Sequence, residues 1–403
     1  GDVYKRQEGY NKKVIMSYWT ICRMKTTKKI YVKVSIIFLL GGILLFSSCE
    51  KEENQKIEAN RKTLFMYLPW SSNLTNYFYN NISDLEKCIT KIGLNNEKVI
   101  VFISTGSTEA MMFEIVSSHG RCKREILKKY KSPPFTTIDG ITAILNDVKA
   151  FAPASVYTMI IGCHGMGWLP VYEMKVRSAP HMKMHWEYQG VPLTRYFGGL
   201  TAEYQTDIKS LASGIANAGM KMEYILFDDC YMSSIEVAYE LKDVTKYLIG
   251  STSEMMAYGM PYAAIGEYLL GNPDYQSGCE EFYNFYSTYE IMPCGTLAVT
   301  DCSELENMAA IIKSINSKYS FDKSLRGTIQ RLDGYTPVIF YDFADYITSL
   351  CNDPILLNQF REQLNHLVPY KTHTKNFYTM AKGIIPILSL IHISEPTRPE
   401  PIS

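Results

Sequence analysis

Two residues that could act as a nucleophile and its base stand directly behind apolar segments of the chain. His164 follows the run that ends at Ile161, and Cys230 follows the run that ends at Phe227. In a parallel α/β sheet, functional groups lie just beyond the carboxyl ends of the strands, so both side chains are expected at one edge. A thiol at the start of a helix is stabilised as thiolate, and an imidazole nearby can take its proton. The pair therefore predicts nucleophilic catalysis by Cys230 with His164 as base.

The segments that must position these residues alternate between strands and helices. Continuous apolar runs predict buried strands, and apolar residues at helical spacing predict helices. Predicted strands cover 63–68, 99–103, 157–161, 224–227 and 247–249, and predicted helices cover 74–92, 137–150, 206–218 and 232–241. Beyond residue 262 the pattern weakens to helices at 275–289 and 304–315 and strands at 296–300 and 338–341. This alternation predicts an α/β fold with a mostly parallel sheet and helices on both faces.

Each of the two residues stands in a short motif behind its predicted strand, namely His-Gly-x-Gly-Trp at His164–Trp168 and Asp-x-Cys-x-Met at Asp228–Met232. These two motifs resemble the signature of the clostripain family of cysteine peptidases. A cysteine at the end of a buried strand is otherwise most often a small core residue, so the two motifs in this order carry the hypothesis. The resemblance covers roughly residues 63–343. It implies a caspase-like three-layer α/β/α sandwich and a cysteine endopeptidase.

The resemblance also implies roles for the neighbours of the dyad. Backbone N–H groups of Gly165 and Cys230 would hold the oxyanion, and Asp228 matches the acidic residue that meets a basic substrate side chain. Asp229 replaces the family's usual small residue, and Tyr258 stands where some members carry a second acid. A carboxylate beside a thiol raises the thiol pKa, so the two aspartates must point away or be paired. We expect cleavage after Lys or Arg, with tolerance of large apolar side chains. No third catalytic residue is identifiable from the sequence.

The two ends of the chain predict processing and targeting. Residues 24–49 resemble a bacterial lipoprotein signal, because a Lys-rich start precedes an apolar run too short to span a bilayer, and small residues precede Cys49. Cys49 would be lipidated, residues 50–62 would form a charged tether, and the protein would be anchored in the bacterial cell envelope, at the outer membrane. Residues 1–23 and 388–403 resemble translated sequencing-adapter artefacts, which would leave the C-terminal part truncated. The peptidase domain is expected at 63–387, with an insertion loop at 169–200.

Composition excludes several other kinds of protein. The 41 basic residues are balanced by 41 acidic ones, so the basic excess of a nucleic-acid-binding protein is missing. Ten cysteines without a CxxC pair argue against a disulfide scaffold or a structural zinc site. The expected partners are a protein or peptide substrate and a membrane. The chemistry requires no cofactor, although the family resemblance allows Ca²⁺. The alternative function is a catalytically inactive caspase-like surface lipoprotein that binds peptides or glycans.

Overall fold

Strands make up the centre of the protein. The structure is a computed structural model, and it describes residues 60–71, 73–169 and 204–388. The strands are β1 (Asn60–Leu68), β2 (Glu97–Ser104), β3 (Glu109–Ser118), β4 (Arg121–Lys131), β5 (Ala154–Ile161), β6 (Met222–Phe227), β7 (Thr245–Gly250), β8 (Thr296–Asp301), β9 (Tyr370–His373), β10 (Asn376–Thr379) and β11 (Gly383–Pro386). The first nine form one sheet in the order β4-β3-β2-β1-β5-β6-β7-β8-β9, and β10 pairs with β11.

The centre of the large sheet is parallel. Strands β2, β1, β5, β6 and β7 pair in parallel, while β3 and β4 at one edge and β8 and β9 at the other pair antiparallel. Seven of the nine strands consequently run in the same direction. Runs such as Leu64–Leu68 and Val99–Ile103 are buried throughout, as expected for strands covered on both faces. The prediction of a mostly parallel sheet is confirmed.

Helices cover both faces of this sheet. They are α1 (Thr75–Ile92), α2 (Ile138–Phe151), α3 (Ile208–Asn217), α4 (Ile235–Leu241), α5 (Tyr262–Leu269), α6 (Tyr275–Ser287), α7 (Leu305–Lys318), α8 (Phe343–Leu350) and α9 (Pro354–Leu367). One core cluster contains the buried side chains of α1, α5 and α6, and a second contains those of α2, α3, α4, α7, α8 and α9. The two cores flank the sheet, so the expected three-layer sandwich is confirmed.

Local signals explain where the helices lie. In α1 the buried residues Phe78, Ile82, Leu85 and Ile89 recur at intervals of three or four, which places them on the face that packs against the sheet. The side chain of Thr137 accepts a hydrogen bond from the backbone N–H of Gly140 and so begins α2. Asp207, Ser234, Asp274, Asp342 and Asp353 cap α3, α4, α6, α8 and α9 in the same way.

The strand predicted at 338–341 is wrong. That segment forms only a single bridge between Arg331 and Tyr341. The buried carboxylate of Asp333 accepts backbone N–H groups from Ile339 and Phe340, at 2.8 and 2.5 Å, and a third from Tyr335. These bonds keep the segment out of a strand, because the N–H donors that a strand would offer to a neighbour point at one side chain instead.

Strand β1 begins earlier than predicted. It starts at Asn60, so the last three residues of the predicted tether belong to the sheet, and Lys62 is buried there. The predicted lipidation residue Cys49, the signal segment and the insertion from residue 170 onward lie outside the described residues. Within the ranges that the structure describes, no helix is both long and apolar enough to cross a bilayer.

Candidate active site

The loops that follow β5 and β6 lie side by side at the carboxyl edge of the sheet. Ile161 and Phe227 are register partners at the ends of these strands, and the N–H of Asp228 donates to the carbonyl of Ile161 at 2.8 Å. A Cβ placed on Gly165 would stand 2.2 Å from the carbonyl oxygen of Cys230. The loop of the His motif therefore presses directly against the backbone of the Cys motif, which brings the predicted site residues to one place.

His164 is buried and held by a residue that sequence reasoning missed. His164 is 4% exposed, and its Nε2 lies 2.9 Å from the Oδ1 of Asn73. Asn73 stands between β1 and α1, beyond the carboxyl end of the strand next to β5. A polar residue at the end of a third parallel strand is the signal that could have found it. This hydrogen bond fixes the orientation of the imidazole ring.

Cys230 is fully buried under the loop that follows β7. Its Sγ accepts the backbone N–H of Met255 at 3.1 Å, and the carbonyl of the same residue lies 3.7 Å away. The helix predicted from residue 232 begins at Ile235 instead, because Ser234 caps it and Tyr231 has a φ of 61°, which no α-helix contains. The expected position of the thiol at a helix N-terminus is therefore wrong. Met255, whose N–H and carbonyl contact the sulfur, belongs to the β7 loop.

Both aspartates beside the thiol are paired, as expected from the sequence. Asp229 accepts the backbone N–H of Cys163 at 2.5 Å and its thiol at 3.3 Å, so it joins the loops that follow β5 and β6. Asp228 accepts the backbone N–H of Met260 at 2.8 Å and the hydroxyl of Tyr262 at 2.9 Å. Hydrogen-bond donors thus offset the negative charge of each carboxylate.

An acidic residue from another part of the chain lies beside Tyr258. The Tyr258 hydroxyl donates to Asp84 of α1 at 2.6 Å, and the other oxygen of Asp84 pairs with Lys87 at 2.7 Å. Burial and the hydrogen bond to Asp84 raise the pKa of Tyr258. Its ring stacks on Phe285 with centroids 5.0 Å apart. No acidic residue could be assigned to the surroundings of Tyr258 from the sequence, because Asp84 precedes Tyr258 by 174 residues.

Two cavities adjoin the loops that follow β5 and β6. The smaller, of about 80 Å³, is lined by His164, Cys163 and Gly165 among others, and the larger, of about 350 Å³, reaches Trp168 and Tyr231. Cys230 lines neither cavity, because the segment around Met255 covers its thiol. In the described ranges, no group of three or more His, Cys, Asp and Glu side chains is arranged to hold a metal ion.

Comparisons with known proteins agree with this architecture. The model of the clostripain family, peptidase family C11, matches residues 66–383. The chain is 57% identical to iotapain, a secreted C11 cysteine protease from Bacteroides thetaiotaomicron, with a TM-score of 0.76 over 83% of this chain and 92% of that one. A 24% identical inactive zymogen C11 protease from Parabacteroides distasonis has a TM-score of 0.69, over 84% of this chain and 92% of its own. None of the curated protein sequences compared matches the chain.

Proposed function

Because the chain belongs to the clostripain family of cysteine peptidases, we propose that it is an endopeptidase that cleaves peptide bonds through a dyad of Cys230 and His164. The observation that carries this assignment is the contact between the two motif loops. Gly165, next to the imidazole, packs on the carbonyl of Cys230, and Asp229 joins the same loops through Cys163. Residues 66 positions apart in the chain are thereby held at a single edge of the sheet.

The proposed reaction has two halves. The thiol of Cys230 gives its proton to His164, and the sulfur attacks the scissile carbonyl carbon. The C–N bond then breaks, the amine leaves with the proton from the imidazole, and a thioester remains. Water hydrolyses the thioester after His164 has taken one of its protons, and the acid leaves as the thiol forms again. Since Nε2 binds Asn73, Nδ1 is the ring nitrogen that exchanges protons with the sulfur.

Backbone N–H groups stabilise the oxyanion. Gly165 and Cys230 are the donors assigned to this role, and a glycine at the first position allows the close approach of the two loops. Removing one such donor or moving it out of place typically lowers the rate by about 10² to 10³. Any side chain at position 165 would collide with the carbonyl oxygen of Cys230, which explains why this residue is a glycine.

Substrate preference follows from Asp228 and Tyr258. A Lys or Arg side chain in a partly desolvated pocket would gain about 1.5–3 kcal/mol from a charge-assisted hydrogen bond to Asp228. Asp228 already accepts two hydrogen bonds within the protein, so a substrate cation would share this carboxylate with Met260 and Tyr262. Tyr258 adds aromatic surface, for which each apolar methylene buried contributes roughly 0.8 kcal/mol. The preference for Lys or Arg is therefore relaxed toward large apolar side chains.

Export and anchoring complete the proposal. Iotapain is a secreted protease, and the signal-like segment 24–49 supports the proposal that this chain lies in the cell envelope with Cys49 as the lipidated residue. The proposed substrate is then a protein or peptide present at the outer membrane. Ca²⁺ remains an expectation that rests on the family resemblance alone.

Substitution of the dyad tests the catalytic assignment. Cys230→Ala and His164→Ala should each lower kcat by about four orders of magnitude or more, because the acyl-enzyme cannot form without both members. Cys302→Ala is the matched control, since Cys302 is also buried but follows β8, at the opposite edge of the sheet. An irreversible thiol-reactive peptidyl probe should label Cys230 in the wild type. Retained activity in a folded Cys230→Ala or His164→Ala variant would contradict the dyad.

A further inference from the structure

We propose that Glu254 is a positioning residue for the nucleophile. Its carboxylate holds the hydroxyl of Tyr231, fixes the backbone that carries Cys230, and keeps the N–H of Met255 on the sulfur. The proposal rests on the assignment of Cys230 as nucleophile. In this role Glu254 does not itself contact the substrate or the reacting atoms. It acts through Tyr231 and Met255.

The residue after the nucleophile has an unusual backbone that its surroundings must maintain. Tyr231 has a φ of 61°, in the left-handed region that bulky residues rarely adopt. Such a conformation persists only where contacts determine it. The ring of Tyr231 stacks on Phe340 with centroids 4.5 Å apart and planes 8° apart. Its N–H donates to the carbonyl of Ser253 at 3.0 Å, and its hydroxyl donates to Glu254 at 2.9 Å.

Glu254 connects three separate segments. One carboxylate oxygen accepts the hydroxyl of Tyr231, and the other accepts the backbone N–H of Met380, at 3.0 Å, in the turn between β10 and β11. The residue is 5% exposed, so water competes little for these bonds. Hydrogen bonds to an ionised carboxylate are about twice as strong as neutral ones. The side chain thus cross-links the β6 loop, the β7 loop and the C-terminal hairpin.

Met255, the next residue in the chain, connects Glu254 to the sulfur of Cys230. The N–H of Met255 lies 3.1 Å from Sγ of Cys230. A donor aimed at the sulfur favours the thiolate, which is the attacking species. Three carboxylates stand on the loops around this thiol, namely Asp228, Asp229 and Glu254, and the part of their charge that hydrogen-bond donors do not offset opposes the thiolate. The N–H of Met255 and the imidazole of His164 act in the other direction. Correct placement of that N–H is therefore what Glu254 contributes.

Two nearly isosteric variants and their double mutant test the proposal. Tyr231→Phe removes the hydroxyl but keeps the ring that stacks on Phe340, and Glu254→Gln removes the charge but keeps the shape. Glu97→Gln is the matched control, because Glu97 is buried and accepts the N–H of Gly271 at 2.9 Å, at the amino edge of the sheet. The measurements are kcat, KM, the pH profile of kcat/KM, and thermal unfolding of each purified variant.

We expect kcat to fall about tenfold or more in both variants, with KM little changed, since substrate contacts stay in place. The double variant should be no slower than the slower single variant, because both changes break the same network. The acidic limb of the pH profile of kcat/KM should move to higher pH in both single variants, because a displaced Met255 N–H stabilises the thiolate less. Loss of the Glu254 charge alone would move it to lower pH, so the sign separates positioning from electrostatics. Glu97→Gln should keep the wild-type kcat and pH profile.

Several results would overturn the proposal. These are an unchanged kcat in Tyr231→Phe, effects that multiply in the double variant, or an acidic limb that moves to lower pH in Glu254→Gln. Should Glu254→Gln fail to fold, Tyr231→Phe decides the question, since it removes one hydroxyl and no charge. Failure of the dyad assignment is a separate result, seen as retained activity in Cys230→Ala. In that case the proposal about Glu254 loses its premise whatever these variants do.

Discussion

Replacing Gly165 with alanine should push apart the two loops that carry the proposed dyad. The added Cβ would lie 2.2 Å from the carbonyl oxygen of Cys230, and 2.9 Å from carbons of Asp229 and Met232. A backbone oxygen cannot rotate out of the way, so the loops must separate by about 0.8 Å for this contact to reach 3.0 Å. A displacement of about 1 Å at reacting groups lowers a rate about a hundredfold. Overpacking of this kind costs about 1–3 kcal/mol of the free energy of unfolding.

The expected result is a loss of about two orders of magnitude in kcat/KM, with a smaller effect on thermal stability. The assay is cleavage of a fluorogenic peptide with Lys before the scissile bond, with an unfolding curve for each variant. Gly106→Ala is the control, because no atom lies within 4 Å of the Cβ that it would add. If Gly165→Ala is as active as Gly106→Ala, the contact between the loops does not determine the geometry of catalysis.

Three further changes have defined outcomes. Asp228→Asn should lower the ratio of kcat/KM for Lys over Leu substrates about tenfold or more, and an unchanged ratio in a profiling library would show that Asp228 does not line the pocket. Asn73→Ala should lower kcat about tenfold with KM nearly constant, because His164 loses the hydrogen bond to Asn73, and a rise in KM alone would contradict this. Burial lowers the pKa of Lys62 from 10.5 to about 8, so the unfolded chain binds more protons between these values and stability rises with pH there. Lys62→Met should abolish that rise in urea denaturation at two pH values, and curves parallel to the wild type would refute it.

The central strands could be predicted because their own residues carry the signal. The predicted segments in β1, β2, β5, β6 and β7 all lie within the observed strands. The edge strands could not be found in this way. In β4 the side chains are exposed or half-buried and largely charged, so no apolar run marks it, and pairing with β3 defines it instead. Strands β9, β10 and β11 contain four residues each, too few for a periodic pattern.

The site shows the same division. Positions of His164 and Cys230 at the ends of neighbouring strands follow from local patterns and from the rule for parallel sheets. The hydrogen-bond partners of His164 and Tyr258 do not, because they come from distant parts of the chain. Asn73 precedes His164 by 91 residues, and Asp84 precedes Tyr258 by 174. Only the packing of α1 and its preceding loop against the sheet brings them into contact, and no local pattern in the sequence records it.

The acidic surroundings of the thiol have a structural explanation. A lone carboxylate near Cys230 would disfavour the thiolate, yet three occur on the adjoining loops. Asp229 ties the β6 loop to the β5 loop, Asp228 ties it to the segment before α5, and Glu254 ties it to the β7 loop and the C-terminal hairpin. Each carboxylate therefore works as a cross-link whose charge is offset by N–H or O–H donors. Removing one acid should relieve electrostatic repulsion at the sulfur and loosen a loop at the same time. At Glu254 we expect the loosened loop to dominate, so the acidic limb of the pH profile moves to higher pH, and at Asp228 and Asp229 the direction of the shift shows which effect is larger.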